Sequence, residues 1–313
     1  MKQLFACVGL AAILFSFTSC QKNFEGDTGP SATGNIIFKF KFDSTQERLN
    51  NIGLPAPMPA GHAGLSPKMN VMSAHYVELA PSAFTPLGSG FVLYKAAETT
   101  TGGAPAIDFS KAVLTPDGGT FLSYPIKDIP KGEYEYLRVS LAYQNYDVIM
   151  HLDTVFSTQA GPVPFSGDFT GTAAAFVGYN TYLGNYTLKT KEVTVNGNKA
   201  QGYWGFESNI NILGNAFIST STGQAPAGAT TVVNPINSTS PIPPGSCVAT
   251  GAFKTGKLKI TGDEKNDIVV IVSLSINKSF EWIDANGNGK WDVLKGEAVV
   301  DMGIRGLIPT VLQ

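Results

Sequence analysis

NIIFKFKFD, residues Asn35 to Asp43, decides the fold. Ile36, Phe38, Phe40 and Phe42 alternate with Ile37, Lys39 and Lys41. Successive side chains of an extended strand point to opposite faces. The run therefore turns three phenylalanines and an isoleucine toward a core and two lysines toward water. Outward from it, AHYVEL (Ala74 to Leu79) and GFVLYK (Gly90 to Lys95) are short strand candidates. EYEYLRVSLAYQ, Glu133 to Gln144, alternates Leu137, Val139, Leu141 and Tyr143 with Tyr136, Arg138, Ser140 and Ala142. DVIMHLD, Asp147 to Asp153, is expected as its hairpin partner across a tight turn at Asn145–Asp147. Asn196-Gly197, between two strand-like runs, is the strongest local hairpin signal. NDIVVIVSLSI, Asn266 to Ile276, is β-branched on both faces and predicts a central strand covered on both sides.

Helix signals are sparse. STQERLNNIG (Ser44 to Gly53) holds one or two turns at most, and TGTAAAFVG (Thr170 to Gly178) is ambiguous. Many short strands between turn signals predict an all-β protein, a large β-sandwich with long irregular loops and little helix. The two longest irregular stretches are 54–70 and 219–246. Residues 35–313 are expected to form a single sandwich domain.

The N-terminus carries a different message. Lys2 precedes an uncharged apolar run, Leu4 to Phe17, and Thr18 and Ser19 lead to Cys20. The run is too short for an ordinary spanning helix and has the layout of a secretory signal. A cysteine at that point resembles the lipobox of bacterial lipoproteins, although Phe17 stands where leucine is commonest. The resemblance implies a signal peptide at 1–19, lipid modification of Cys20 and a flexible tether over 20–34. More than one acyl chain on the new N-terminus would anchor the protein to a membrane stably. CQKNFEGD also resembles the export tags of Bacteroidota surface lipoproteins, with sparser acidic residues at Glu25 and Asp27. That implies an outer-membrane anchor facing the cell surface, with the periplasmic face as the alternative. Cys247 then has no disulfide partner and is expected as a buried, inert thiol.

The chain has 22 Lys and Arg against 24 Asp and Glu. It has no basic stripe, so nucleic acid is not an expected partner. Partners are expected to be the membrane, through the anchor, and a protein or glycan ligand.

The sharpest chemical motif is DANGNGKWDVLKGE. Asp284, Asn286 and Asn288 fall at alternate positions, Gly289 follows, and Asp292 comes three later. Calcium takes six to eight oxygen ligands, and such spacing aims carboxylate and amide oxygens inward around a sharp glycine bend. The run resembles the first nine positions of an EF-hand loop, with the Lys290 carbonyl filling a gap. It then departs, because Lys295 stands where the bidentate glutamate belongs and Glu297 comes two later. The flanks read as strands, so the likeness is to calcium loops in β-sandwich domains of bacterial surface proteins. It implies a structural calcium held by Asp284, Asn286, Asn288, Lys290, Asp292 and Glu297. The competing reading is an Asn- and Gly-rich turn with no ion.

A second motif, Met58 to His75, concentrates Met58, Met69, Met72, His62 and His75. Thioether and imidazole are ligands that suit copper. The FKFKF strand, long loop and His-Tyr strand show a faint similarity to methanobactin-associated copper-binding lipoproteins. Against copper, methionine commonly fills core gaps and His75 alternates with Val77 and Leu79. Asp-Ser-Thr at Asp43 and Asp-Thr-Val at Asp153 resemble the short O-glycosylation pattern of Bacteroidota exported proteins, implying Ser44 and Thr154 as acceptors.

Serine-elbow, zinc-protease, phosphate-loop and dinucleotide patterns are missing from the sequence. The expectation is a non-enzymatic binding or structural module. Alternatives are a copper-handling lipoprotein, a fimbrillin-like adhesion subunit trimmed near Arg48, and a carbohydrate-active enzyme with two distant carboxylates. The tyrosines clustered between 134 and 203, with Trp204, are expected mainly as cross-strand core and rim pairs, with an exposed ligand or sugar platform as the alternative.

Overall fold

The computed structural model describes residues 32–159, 161–212, 215–225 and 247–312. Cys20, the signal segment and nearly all of the tether lie outside them, as does most of the second long irregular stretch. The strands begin with β1 (Asn35–Asp43), β2 (His62–Leu65), β3 (Lys68–Ala80), β4 (Phe91–Lys95), β5 (Glu98–Thr99), β6 (Ala106–Asp108) and β7 (Thr120–Pro125). Next come β8 (Gly132–Tyr134), β9 (Tyr136–Thr158), β10 (Gly161–Phe176), β11 (Asn180–Thr187), β12 (Glu192–Ala200), β13 (Tyr203–Ile212) and β14 (Asn215–Gln224). The series ends with β15 (Cys247–Ala252), β16 (Leu258–Ile260), β17 (Ile268–Ser275), β18 (Phe280–Ile283), β19 (Val299–Asp301) and β20 (Leu307–Leu312). Among the described residues the helical ones are two three-residue 3-10 turns, Phe109–Lys111 and Ile126–Asp128. The protein is all-β, with several packed sheets of sandwich character.

The opening stretch behaves as its alternation requires. Ile36, Phe38 and Phe40 are fully buried and Lys41 is exposed. β1 lies inside a four-stranded sheet ordered β20-β17-β1-β7, parallel to β17 and antiparallel to β7. Its apolar face packs with Val270 and Val272 of β17 against Val77 of β3 and Leu137, Val139 and Leu141 of β9. These last belong to a seven-stranded sheet with the path β14-β13-β10-β9-β3-β4 and β15 beside β9. β17 is central as expected, but only one of its faces is fully covered. Ile271 and Ser273 line a shallow surface groove beside Lys41.

The expected hairpin at Asn145–Asp147 does not form. β9 runs unbroken for 23 residues. The turn-type residues are used instead as cross-links within the layers. The Asn145 amide donates to the Leu188 carbonyl at 3.0 Å, and Asp147 accepts from Thr172 Oγ1 at 2.7 Å and Lys189 Nζ at 2.8 Å. The Asn196-Gly197 hairpin is corrected likewise. Both residues lie inside β12, where Asn196 takes φ of 52° and the β11–β12 register slips between Leu183 and Asn185. This is a β-bulge, which uses the same left-handed tolerance as a tight turn. The chain reverses earlier, where Leu188 N–H donates to the Lys191 carbonyl.

Residues 44–53 form bends without helix, because the Asp43 carboxylate captures the Thr45 and Gln46 N–H groups. The stretch 54–70 is not one loop; it contains β2 and the start of β3. Arg138, on the face of β9 opposite Leu137 and Val139, is fully buried 3.7 Å from an equally buried Glu78. Just beyond Leu141, the segments 142–148 of β9 and 171–176 of β10 are covered on both faces. Tyr143, Phe176, Tyr186 and Tyr203 pack together on one, and Tyr146, Val148, Phe280 and Trp282 on the other.

Candidate functional site: the 284–297 loop and the groove beside it

β3 pairs with β9 only as far as Asp147. The edge of β9 beyond that point is taken by the loop between β18 and β19. His151 N–H donates to the Trp291 carbonyl at 2.8 Å, and His151 bridges Asp292 in parallel fashion. Lys290 reaches Asp168 of β10 at 3.4 Å and Lys295 reaches Asp153 of β9 at 3.4 Å. The loop is thus fastened to the strand pair by backbone and by charge.

Inside the loop the alternating positions do as their spacing suggests. Asp284 accepts from the Gly287 and Gly289 N–H groups, both 2.9 Å away. Gly287 and Gly289 take φ of 72° and 71°, a backbone that side-chain-bearing residues rarely adopt. Asn286 and Asn288 each accept the N–H two residues on, an Asx turn at both positions. Their amide nitrogens converge on one atom, Asp292 Oδ2, at 2.6 and 2.8 Å. Asp292 is buried although it lies in a loop. Lys290 contributes its N–H to Asn288, while its side chain leaves for Asp168. Glu297 stands apart from the convergence point. Its two oxygens accept the Ala285 and Asp292 N–H groups at 3.1 and 2.8 Å, bracing the start of the loop to its end. The residues fit a hard cation with respect to donor type, since Asp and Asn oxygens dominate the set. Among the described residues no three His, Cys, Asp or Glu side chains gather around one point.

The Met/His set does not come together. Met72 is buried in the main core. Met69 packs between that core and the Phe280–Trp282 cluster. His75 is buried against Glu98, 3.2 Å from its Nε2, and against the Tyr179 ring; burial holds its imidazole below the usual range. His62 Nδ1 lies 2.6 Å from Glu281, which also receives Arg48 at 2.5 Å and Arg305 at 2.9 Å. Met58 is half-buried in the irregular stretch before β2. Arg48 is itself held, donating to the Asn277 and Lys278 carbonyls. Ser44 is exposed at the bend after β1, and Thr154 is half-buried in β9. Cys247 is buried, and burial pushes its thiol up to about 12, which keeps it an unreactive thiol.

Sequence reading missed two features. His151 lies 2.5 Å from Asp168 and 3.3 Å from Ser166 Oγ, the residue types of a hydrolytic triad. Asp168 is half exposed and shared with Lys290, so the set lacks the dry surroundings that strengthen an oxyanion site. Its evident work is to fasten the loop to the sheet.

The second feature is a groove of about 660 Å³ on the opposite face. Its floor includes Met150, Trp204 and Phe206, and one wall is Trp291, Val293 and Leu294 of the loop. Phe206 lies over Gly171 and Trp204 over Gly223; a Cβ at either glycine would strike the ring, at 2.1 and 2.5 Å. The glycines let both rings lie along the sheet. These residues come from separate strands and a distant loop, so no local pattern signals them. Set against known protein families, curated proteins and solved structures, the chain finds no match in any of the three.

Proposed function

We propose that this chain is a lipid-anchored outer-membrane lipoprotein of the Bacteroidota type, whose all-β body is a non-enzymatic binding module braced by a calcium loop. The anchor reading rests on the residues from Leu4 to Cys20 and on the tag-like stretch after them. Among the described residues no helix is long and apolar enough to cross a membrane. An N-terminal lipid would supply the attachment, and the surface-facing leaflet is the side that the tag favours. Radiolabelled palmitate should enter the wild-type protein and not a Cys20→Ala variant; equal labelling of both would remove the anchor.

The observation that carries the calcium reading is the meeting of Asn286, Asn288 and Asp292 at a single oxygen within a loop folded by Asp284. Turned over, the two amides would offer carbonyl oxygens at the same place. Turning them gives up the two Asx-turn hydrogen bonds that the Asn286 and Asn288 oxygens accept from the Asn288 and Lys290 N–H groups, a cost that ion coordination would have to offset. The role is structural, because the loop seals the open edge of β9. Elemental analysis of protein purified without chelator should find about one calcium per chain. Saturating calcium at a hundredfold excess over its Kd should add about 2.7 kcal/mol to stability. Asp292→Ala should abolish that rise in Tm. Protein that carries no calcium and melts identically with and without it would reduce the loop to an Asn- and Gly-rich turn.

A further inference from the structure

We infer that the groove between the 284–297 loop and the face of β9, β10, β13 and β14 is a binding site for an elongated, uncharged hydrocarbon chain such as the acyl chain of a neutral lipid. The inference rests on the binding-module reading and supplies its ligand class; it does not depend on calcium occupancy.

Four observations converge. The volume, about 660 Å³, falls in the range of small-molecule sites, roughly 300–1,000 Å³. Among the described residues no charged side chain lines it, so neither a carboxylate nor a phosphate finds a counter-ion there. Its polar groups are few: Ser208, Ser219, Ser221 and Gln224. Ser208 and Ser219 already satisfy each other at 2.7 Å. A sugar would need more donors and acceptors than remain, whereas a neutral head group with one or two hydroxyls would not.

The apolar surface also continues past the groove. Met150 lies directly opposite Phe169 in the β9–β10 ladder, so the two share a face. From Phe169 a row of rings leads along the hairpin, to Phe165 at 5.7 Å between centroids and on to Phe156 at 5.3 Å. His151, Asp153, Ser166 and Asp168 occupy the other face of the same strands, paired with the loop lysines. The aromatic row thus leads into the groove, while the other side of the arm is mixed, with Ile149 and Val155 exposed beside the polar set. A long chain fits that shape better than a compact molecule. Trp291, with Val293 and Leu294, closes over it from the loop, and Met150 and Met302 give a wall that adapts to a flexible ligand.

The test uses the full chain in detergent, titrated with monoacylglycerols that carry a brominated acyl chain. Of the three tryptophans, Trp204 and Trp291 line the groove and Trp282 is buried in the core. The expected result is saturable quenching of part of the tryptophan fluorescence, the Trp282 share surviving. Affinity should fall about fourfold for each methylene removed. A brominated fatty acid, charged at its head, should bind at least tenfold more weakly. Ser221→Phe, which fills the groove from an exposed strand position, should cost at least tenfold with Tm unchanged. Leu294→Asp, at a side chain 59% exposed, gives a second reading should the first variant misfold. Quenching by brominated bilayer vesicles alone would support the same site with the bilayer as the source of the chain. Quenching that never saturates, ignores chain length or is equal in both variants would overturn the proposal. The palmitate and calcium measurements test the anchor and the loop separately, so either could hold while the groove proposal fails.

Discussion

Replacing Phe40 by alanine is expected to lower the free energy of unfolding by about 3–5 kcal/mol, the range for deleting a large aromatic side chain from a closed core. Phe40 is completely buried at the middle of β1. Its ring stacks on Phe121 of β7, with centroids 3.9 Å apart and planes within 10°. The surrounding Val270, Val272 and Leu137 side chains stand on two facing sheets. Neither sheet can move in without breaking its own ladder, so the cavity would persist. Lys41, one residue on, is exposed, and Lys41→Ala should change stability little. Urea unfolding of the two variants side by side checks this. A cost below about 1 kcal/mol for Phe40→Ala would mean that β1 does not occupy the core.

The second large effect is expected at Glu207. Its carboxylate sits under the β11–β12 reversal. It accepts three consecutive backbone N–H groups, from Lys189, Thr190 and Lys191, at 2.9–3.0 Å, and the Thr190 hydroxyl at 2.6 Å. Glu207→Ala strands these donors, and each buried unpaired group costs about 1–3 kcal/mol. Part of this is returned by water at the turn, leaving an expected loss of about 3 kcal/mol. Glu207→Gln keeps the shape and one acceptor oxygen and should lose about half as much. The hydrogen bonds to the ionised form outweigh burial and hold the carboxyl down at about 2. A depressed carboxyl adds stability that is fully present above its unfolded value of about 4.5 and disappears as pH falls toward 2. Wild type should therefore lose stability more steeply than Glu207→Gln between those limits. Parallel acid-melting curves would disprove the role.

Much of this architecture can be read from residue order alone, and the failures have physical causes. Period-two alternation locates β1 because one face meets a core and the other meets solvent. The same alternation leaves the surroundings of Arg138 open, since it cannot distinguish water from a buried partner such as Glu78 on another strand. Asn145 and Asn196-Gly197 read as turns because their side chains and dihedral freedom suit turns. In the molecule those properties serve a cross-layer hydrogen bond and a bulge. The alternating Asp and Asn positions of the 284–297 loop are a local code and can be read. Glu297 counts as a ligand by spacing, yet its oxygens hold backbone N–H groups, a use that only the closed loop reveals. Of the groove only Trp204 stands in a stretch read as a possible ligand platform, because Met150, Trp204 and Trp291 are brought together only by the tertiary fold.

β1 and β17 are neighbours in the sheet and strangers in time. Ile36 pairs with Ile268 and Phe42 with Leu274, side by side and in parallel. During synthesis, β1 emerges early and waits. β7 can reach it sooner, but the strand that fills its other edge follows more than two hundred residues later. Pairings this distant form late, because the intervening loop must close before any contact rewards it. The main core therefore stays open until the last strands of the chain are made. A product cut short before β17 would retain β1 with one edge bare, a ready template for pairing with another chain.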